Sequence, residues 1–194
     1  EGSGCQGDNC GRPKGGGSSK EDDIQIKNTA NKLGLNEDDY KMEFKNLGKN
    51  WAGSVTLKND GTGKYFMSKE VLIDKSSKNY KEIIDHELRH IWQSKNKVFY
   101  ATKDGMHWEG QVYISLKGYN KIMNGMSKAK DKETWLKYKK QYVNLPWEKD
   151  ADEFAGIKHE FKFYKADDNE KLSDAIELPD ELKKLIDETV DMHA

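Results

Sequence analysis

Cysteine, proline and long apolar runs are all scarce in this chain of 194 residues. Its two cysteines, Cys5 and Cys10, fall in the glycine-rich opening EGSGCQGDNCGRPKGGGSS. Two thiols make an incomplete metal site, so they read as an inert or disulfide-linked pair in a tail. No apolar run approaches membrane-span length, and a stretch such as Val71 to Ile73 is the length of a buried strand. Charge of one sign is not in excess either. With 33 basic and 34 acidic side chains the net charge is -1, which gives no field to draw the chain onto nucleic acid or an anionic membrane. Neither partner is therefore expected. Hydrophobic residues make up only 35%, so the core must be small, with 5 Trp, 9 Tyr and 6 Phe filling much of it.

What is present has an order along the chain. Residues 1–19 hold seven of the 17 glycines and read as a flexible linker or tail, leaving 20–194 as a single domain. Lys20 to Leu33 has helix-forming composition, with Gly34 as a stop. Alternating residues then predict strands around Tyr40 to Phe44, Val55 to Leu57, Lys64 to Ser68 and Glu70 to Asp74, with a turn at Asn59-Asp60-Gly61. They make a small, mainly antiparallel sheet. Ser76 and Ser77 are suitable caps for a helix running to about Lys95, and Val98 to Ser115 suggests a hairpin. The remainder reads as helical, with segments near Asp131 to Val143, Pro146 to Tyr164 and Pro179 to Met192.

The chemistry is concentrated in His86-Glu87-Leu88-Arg89-His90. Four residues apart on a helix, His86 and His90 leave the same face one turn apart and can bind one ion. Zinc held in this way lowers the pKa of a bound water, and Glu87 beside it is suited to accept the proton. Tyr80, Ile84, Leu88, Ile91 and Trp92 gather on the other side of the wheel, so the helix can bury its back and present the histidines to a cleft.

Two histidines leave zinc a protein ligand short. Downstream, Glu148 and Asp152 share a helix face in Leu145-Pro146-Trp147-Glu148-Lys149-Asp150-Ala151-Asp152. Glu148 is the candidate third ligand, with Asp152 orienting a ligating histidine through its other ring nitrogen. Spacing alone leaves both between that role and an ordinary acidic surface. Here the chain resembles the thermolysin-like zincins, in which two histidines and a downstream glutamate hold zinc and the motif glutamate is the base. Glu148-x-x-Ala151-x-x-Phe154-Ala155 is similar to the third-ligand helix of ImmA/IrrE-type metallopeptidases. His86 to Gln93, His107 to Gly110 and Tyr142 to Ala151 together resemble small metallopeptidase domains of phage proteins and bacterial polymorphic toxins.

The resemblance spans roughly Glu70 to Phe161. It implies a compact α+β zincin domain whose helical second half supplies Glu148, and a zinc-dependent endopeptidase acting on a protein or peptide. It also implies a toxin or effector module secreted or delivered into a target cell, with an immunity or inhibitor protein as a further partner. The alternatives are a cytoplasmic regulatory metalloprotease and a zinc-stabilised binding module without turnover. Tyr142 is the candidate oxyanion donor, preferred to His159, which a continuous helix would carry about 16 Å beyond Glu148. His107 and Trp108, on the expected hairpin, are candidate substrate contacts through an added peptide strand. The lysines around Trp135, Tyr138 and Tyr142 fall at helical spacing and read as an amphipathic helix docked on the core.

Overall fold

The structure is a computed structural model that describes residues 17–48, 51–159 and 174–191. The two cysteines and nearly all of the glycine-rich opening lie outside the described residues. The first helix, α1 (Lys20–Lys32), starts where Ser19 accepts from the backbone N–H of Asp22, while Asp22 accepts from that of Ser19. Strands β1 (Lys41–Phe44), β2 (Gly53–Asn59) and β3 (Tyr65–Ile73) follow. The turn between β2 and β3 is held by Asn59, which accepts from Gly61 and Gly63, and by Asp60, which accepts from Thr62. The two short strands expected between Lys64 and Asp74 are one nine-residue strand, β3.

Helix α2 (Tyr80–Lys95) carries the HELRH motif. It begins later than Ser76 and Ser77 suggested, because Asp74 engages that stretch first. Its Oδ1 accepts from Ser76 N at 2.9 Å and Ser76 Oγ at 2.7 Å, and its carbonyl accepts from Ser77 N. Next come β4 (Phe99–Thr102), β5 (Gly105–Trp108) and β6 (Gln111–Ile114), then α3 (Leu116–Ser127), α4 (Lys132–Val143), α5 (Pro146–Ala155), β7 (Ala175–Glu177) and α6 (Asp180–Asp191). The run from Met106 to Ser115 is thus two strands, reversed at Glu109 and Gly110, both of which have positive φ.

The sheet runs β6-β5-β4-β3-β2-β7, with β1 also paired to β3. It is mainly antiparallel, as expected, and mixed by two parallel pairings, β1 with β3 and β7 with β2. Alternation marks a strand's buried face but not the direction of its neighbour, so this was not legible. Beneath the sheet lie Val55, Leu57, Val71, Ile73, Ile83, Ile84, Leu88, Phe99 and Met106, all buried, with Trp147 of α5 stacked on Phe99 at 4.6 Å. Helix α4 docks through Tyr142 and Val143, with Trp135 and Tyr138 half-covered.

Gly125 lets α3 and α4 approach closely, because a Cβ there would run into the Tyr138 ring. Gly125→Ala should destabilise the fold by about 1–3 kcal/mol, read as a lower urea midpoint. An unchanged midpoint would mean that the contact is not tight.

Candidate metal centre

Helix α2 is buried on more than its apolar back. Ile83, Ile84 and Leu88 are covered, but so are His86, Glu87, His90 and Gln93, each at 0% exposure. A buried helix face rich in polar groups needs partners for them. They come from α4, α5 and the residue that precedes β7.

Helix α5 crosses α2 and is fastened to it by Arg89, whose Nε and Nη2 donate to Asp150 at 2.8 and 3.2 Å. Pro146 opens α5 and sets Glu148 in its first turn, where the helix dipole favours a carboxylate. Glu148 Oε2 is 3.1 Å from His86 Nε2, and its Oε1 is 3.3 Å from His90 Nε2. Asp174 closes the other side, with Oδ1 3.4 Å from His86 Nε2 and Oδ2 3.0 Å from His90 Nε2. The four side chains are buried and offer ligand atoms all within 4.8 Å of one another. Neither Nε2 has a hydrogen-bond partner among the described residues, nor do Glu148 Oε2 and Asp174 Oδ2. These atoms make close ion-pair contacts with one another and leave hydrogen-bonding capacity unfilled. This buried cluster can hold a metal ion.

The far nitrogen of His90 fixes its tautomer. Gln93 donates its amide to the Trp147 carbonyl and to Asp150 Oδ2, both at 2.9 Å, so its oxygen must face His90 Nδ1, 2.8 Å away. His90 Nδ1 therefore donates, and its Nε2 lone pair is left for the centre. At His86, Nδ1 lies 2.8 Å from Asp152 Oδ1, an ion-pair contact outside hydrogen-bond geometry that places a carboxylate where it can orient the ring. Asp152 stands where expected. Its other oxygen is 2.7 Å from His159 Nε2, a pairing that a continuous helix through His159 would not permit. The expected helix from Pro146 to Tyr164 in fact stops at Ala155, capped by Gly156 at φ 72°. Replacing Asp152 by Asn, or Gln93 by Ala, should weaken metal affinity by about 10–100-fold. Competition with a chromogenic chelator reads this directly, and wild-type affinity in both variants would remove the orienting role.

Electrostatics support an added cation. Burial favours neutral imidazoles, yet Asp174, together with Asp152 at His86 and Glu148 at His90, holds both histidines well above the ordinary histidine range. Asp174 is opposed by burial but held well below the usual carboxylate range by His90 and His86. Glu148 is raised by burial and then by Asp174. The carboxylates thus recruit protons to the histidines as counter-charges, and a metal cation would take over that role and release them.

Glu87 is buried, and neither carboxylate oxygen accepts a hydrogen bond from a donor among the described residues. Burial, and then the charge of Asp174, push it well above the ordinary carboxylate range. Tyr142 reaches in from α4, its hydroxyl 3.0 Å from Glu148 Oε1 and 2.9 Å from Asp174 Oδ1, with a further bond to the Asp174 carbonyl. Burial raises the phenol well above its usual range, so it stays protonated.

The sequence-predicted residues His86, Glu87, His90, Tyr142, Glu148 and Asp152 are therefore brought together, whereas His107 and Trp108 are not part of the cluster. The His107 ring stacks on Tyr100 at 4.6 Å, its Nε2 is 2.8 Å from Thr102 Oγ1, and Trp108 packs half-buried on the core. The cavity beside His107, about 460 Å³, is walled by Lys64, Tyr65, Tyr100 and Leu182 and includes none of the four cluster residues. Sequence reasoning missed Asp174 and Gln93. Gln93 had a signal, because it follows His90 by three residues on the same helix face. Asp174 had only the short apolar run after it.

In comparison with known proteins, no family model, curated protein or solved structure matches this chain. The class the fold defines is an α+β domain with a buried two-histidine, two-carboxylate centre.

Proposed function

We propose that the chain is a zinc-dependent peptidase of the zincin kind, acting on a protein or peptide. The observation that carries this reading is Glu87, a fully buried carboxyl group that accepts no hydrogen bond from a donor among the described residues, beside a cluster able to hold a metal ion. Such a group costs stability, and a purely structural metal site has no use for it. A hydrolytic site does. The donor set also suits zinc: at bond lengths of about 2.0–2.2 Å, tetrahedral ligands lie about 3.3–3.6 Å apart. The contacts of 3.0 to 3.4 Å between histidine nitrogens and carboxylate oxygens fall close to that spacing.

When bound, zinc supplies Lewis acidity that polarises the scissile carbonyl and acidifies water. His86, His90 and Glu148 would hold it, with Asp152 and Gln93 positioning the imidazoles. Glu87 takes up the proton of the attacking water at its carboxylate and returns it to the leaving amine. Tyr142 offers a neutral hydroxyl to the oxygen that gains charge. Delivery as a toxin module, with an immunity partner, remains the biological setting we favour for this activity.

A second reading, a zinc-stabilised module without turnover, is favoured by one feature: Asp174 is a fourth protein donor, and four protein ligands are the mark of a structural site. Incubating a peptide mixture with zinc-loaded and chelated protein, as wild type and as Asp174→Ala, separates the two readings. The peptidase reading expects zinc-dependent new termini from at least the variant. Intact peptides in every arm would overturn the peptidase reading.

A further inference from the structure

We infer that Asp174 is a displaceable ligand supplied by the chain itself, which keeps the centre latent by filling the position a substrate or an external carboxylate would take. This rests on the peptidase reading of the same site. The four donors do not come from equivalent supports. His86, His90 and Glu148 stand on two helices locked by the Arg89–Asp150 fork and by Gln93, and none of those bonds involves Asp174. Asp174 instead precedes β7, a strand of three residues at the end of the sheet order, paired to β2 over Ser54, Val55 and Thr56. Withdrawing its carboxylate from the centre would break its bond to Tyr142 of α4 but none of those that lock α2 to α5.

Asp174 also engages more than the metal position. Its Oδ1 is 2.9 Å from the Tyr142 hydroxyl, which also bonds to its carbonyl. One residue thus closes the fourth position and occupies the hydroxyl donor. Glu87 is buried on the same helix as the two histidines, and none of its oxygens accepts a hydrogen bond from a donor among the described residues. A carboxylate held at that point stands where the acid product of peptide hydrolysis would lie. The external ligands that compete with it are therefore carboxylates and hydroxamates.

Cobalt-substituted protein tests this without any substrate, because its visible absorption follows the ligands. Wild type, Asp174→Ala and Asp174→Asn are titrated with acetohydroxamate and, separately, acetate; the Asn variant keeps the side-chain shape should the Ala variant fold poorly. A site open about one hundredth of the time binds an external ligand about 100-fold more weakly. Asp174→Ala should therefore bind acetohydroxamate about 100-fold more tightly than wild type, and acetate should return its spectrum towards the wild-type form. Asp174→Asn should fall between the two.

Equal hydroxamate affinity in wild type and both variants overturns the inference. So does loss of cobalt from both variants, which would make Asp174 a structural ligand. A wild type that takes up no cobalt or zinc removes the metal centre and both readings with it. If the variants open to hydroxamate but leave every peptide intact, the inference stands and the peptidase reading falls.

Discussion

Glu87→Gln in the zinc-loaded protein should lower peptide cleavage by about 100-fold or more while zinc content and fold are unchanged. The substitution keeps the side chain's size and removes only its ability to take up a proton. Neither carboxylate oxygen accepts a hydrogen bond from a donor among the described residues, so the substitution strips no donor of its partner. Glu87 is also fully buried, and replacing a buried ionisable group by a neutral one removes a desolvation cost. The variant should accordingly melt at the wild-type temperature or above it. Cleavage is best compared in the Asp174→Ala background, where the proposed fourth ligand does not mask it. Wild-type rates at equal zinc loading would end the general-base mechanism, and a collapse of stability would mark Glu87 as structural.

The second large effect concerns the metal itself. Zinc that binds only the folded chain stabilises it by about 4.1 kcal/mol when free zinc is a thousand-fold above its Kd. For a domain of this size that corresponds to roughly 8–16 °C in Tm. Chelation should lower the melting temperature by that order, and readdition of zinc should restore it. His86→Ala and His90→Ala should melt near the chelated wild type and gain nothing from zinc, since each removes one of the two imidazoles that α2 presents. Glu148→Gln should lie between, losing an anionic ligand while keeping both histidines. It should lose zinc occupancy as well as rate, which separates it from Glu87→Gln. A zinc-dependent rise in either histidine variant equal to that of wild type would remove the ligand assignment.

Much of this arrangement was legible because it is local. Histidines four apart on a helix must share a face, and the first-turn position of Glu148 follows from Pro146. The apolar wheel of α2 was read correctly for Ile84, Leu88 and Ile91, but the burial of Gln93 and Glu87 was not. Their covering comes from α5 and from the chain before β7, long-range contacts that periodicity does not encode. The end of α5 is instructive. The expected helix from Pro146 to Tyr164 ran through Gly156, whose positive φ ends α5 and brings His159 back to Asp152. Strand direction was out of reach for a similar reason, since it depends on which segments meet. Asp174 was the costliest omission, because a single acidic residue ahead of a three-residue strand has no pattern of its own. Only the parallel pairing of β7 with β2 brings it to the histidines.

The central claim is that one zinc ion sits among His86, His90, Glu148 and Asp174, and anomalous diffraction from crystals grown with zinc locates it most directly. The expected result is a single peak, present above the zinc edge and absent below it, bounded by the two Nε2 atoms and the two carboxylates. Zinc found only elsewhere on the chain, or no anomalous peak in the cluster at saturating zinc, would contradict the account.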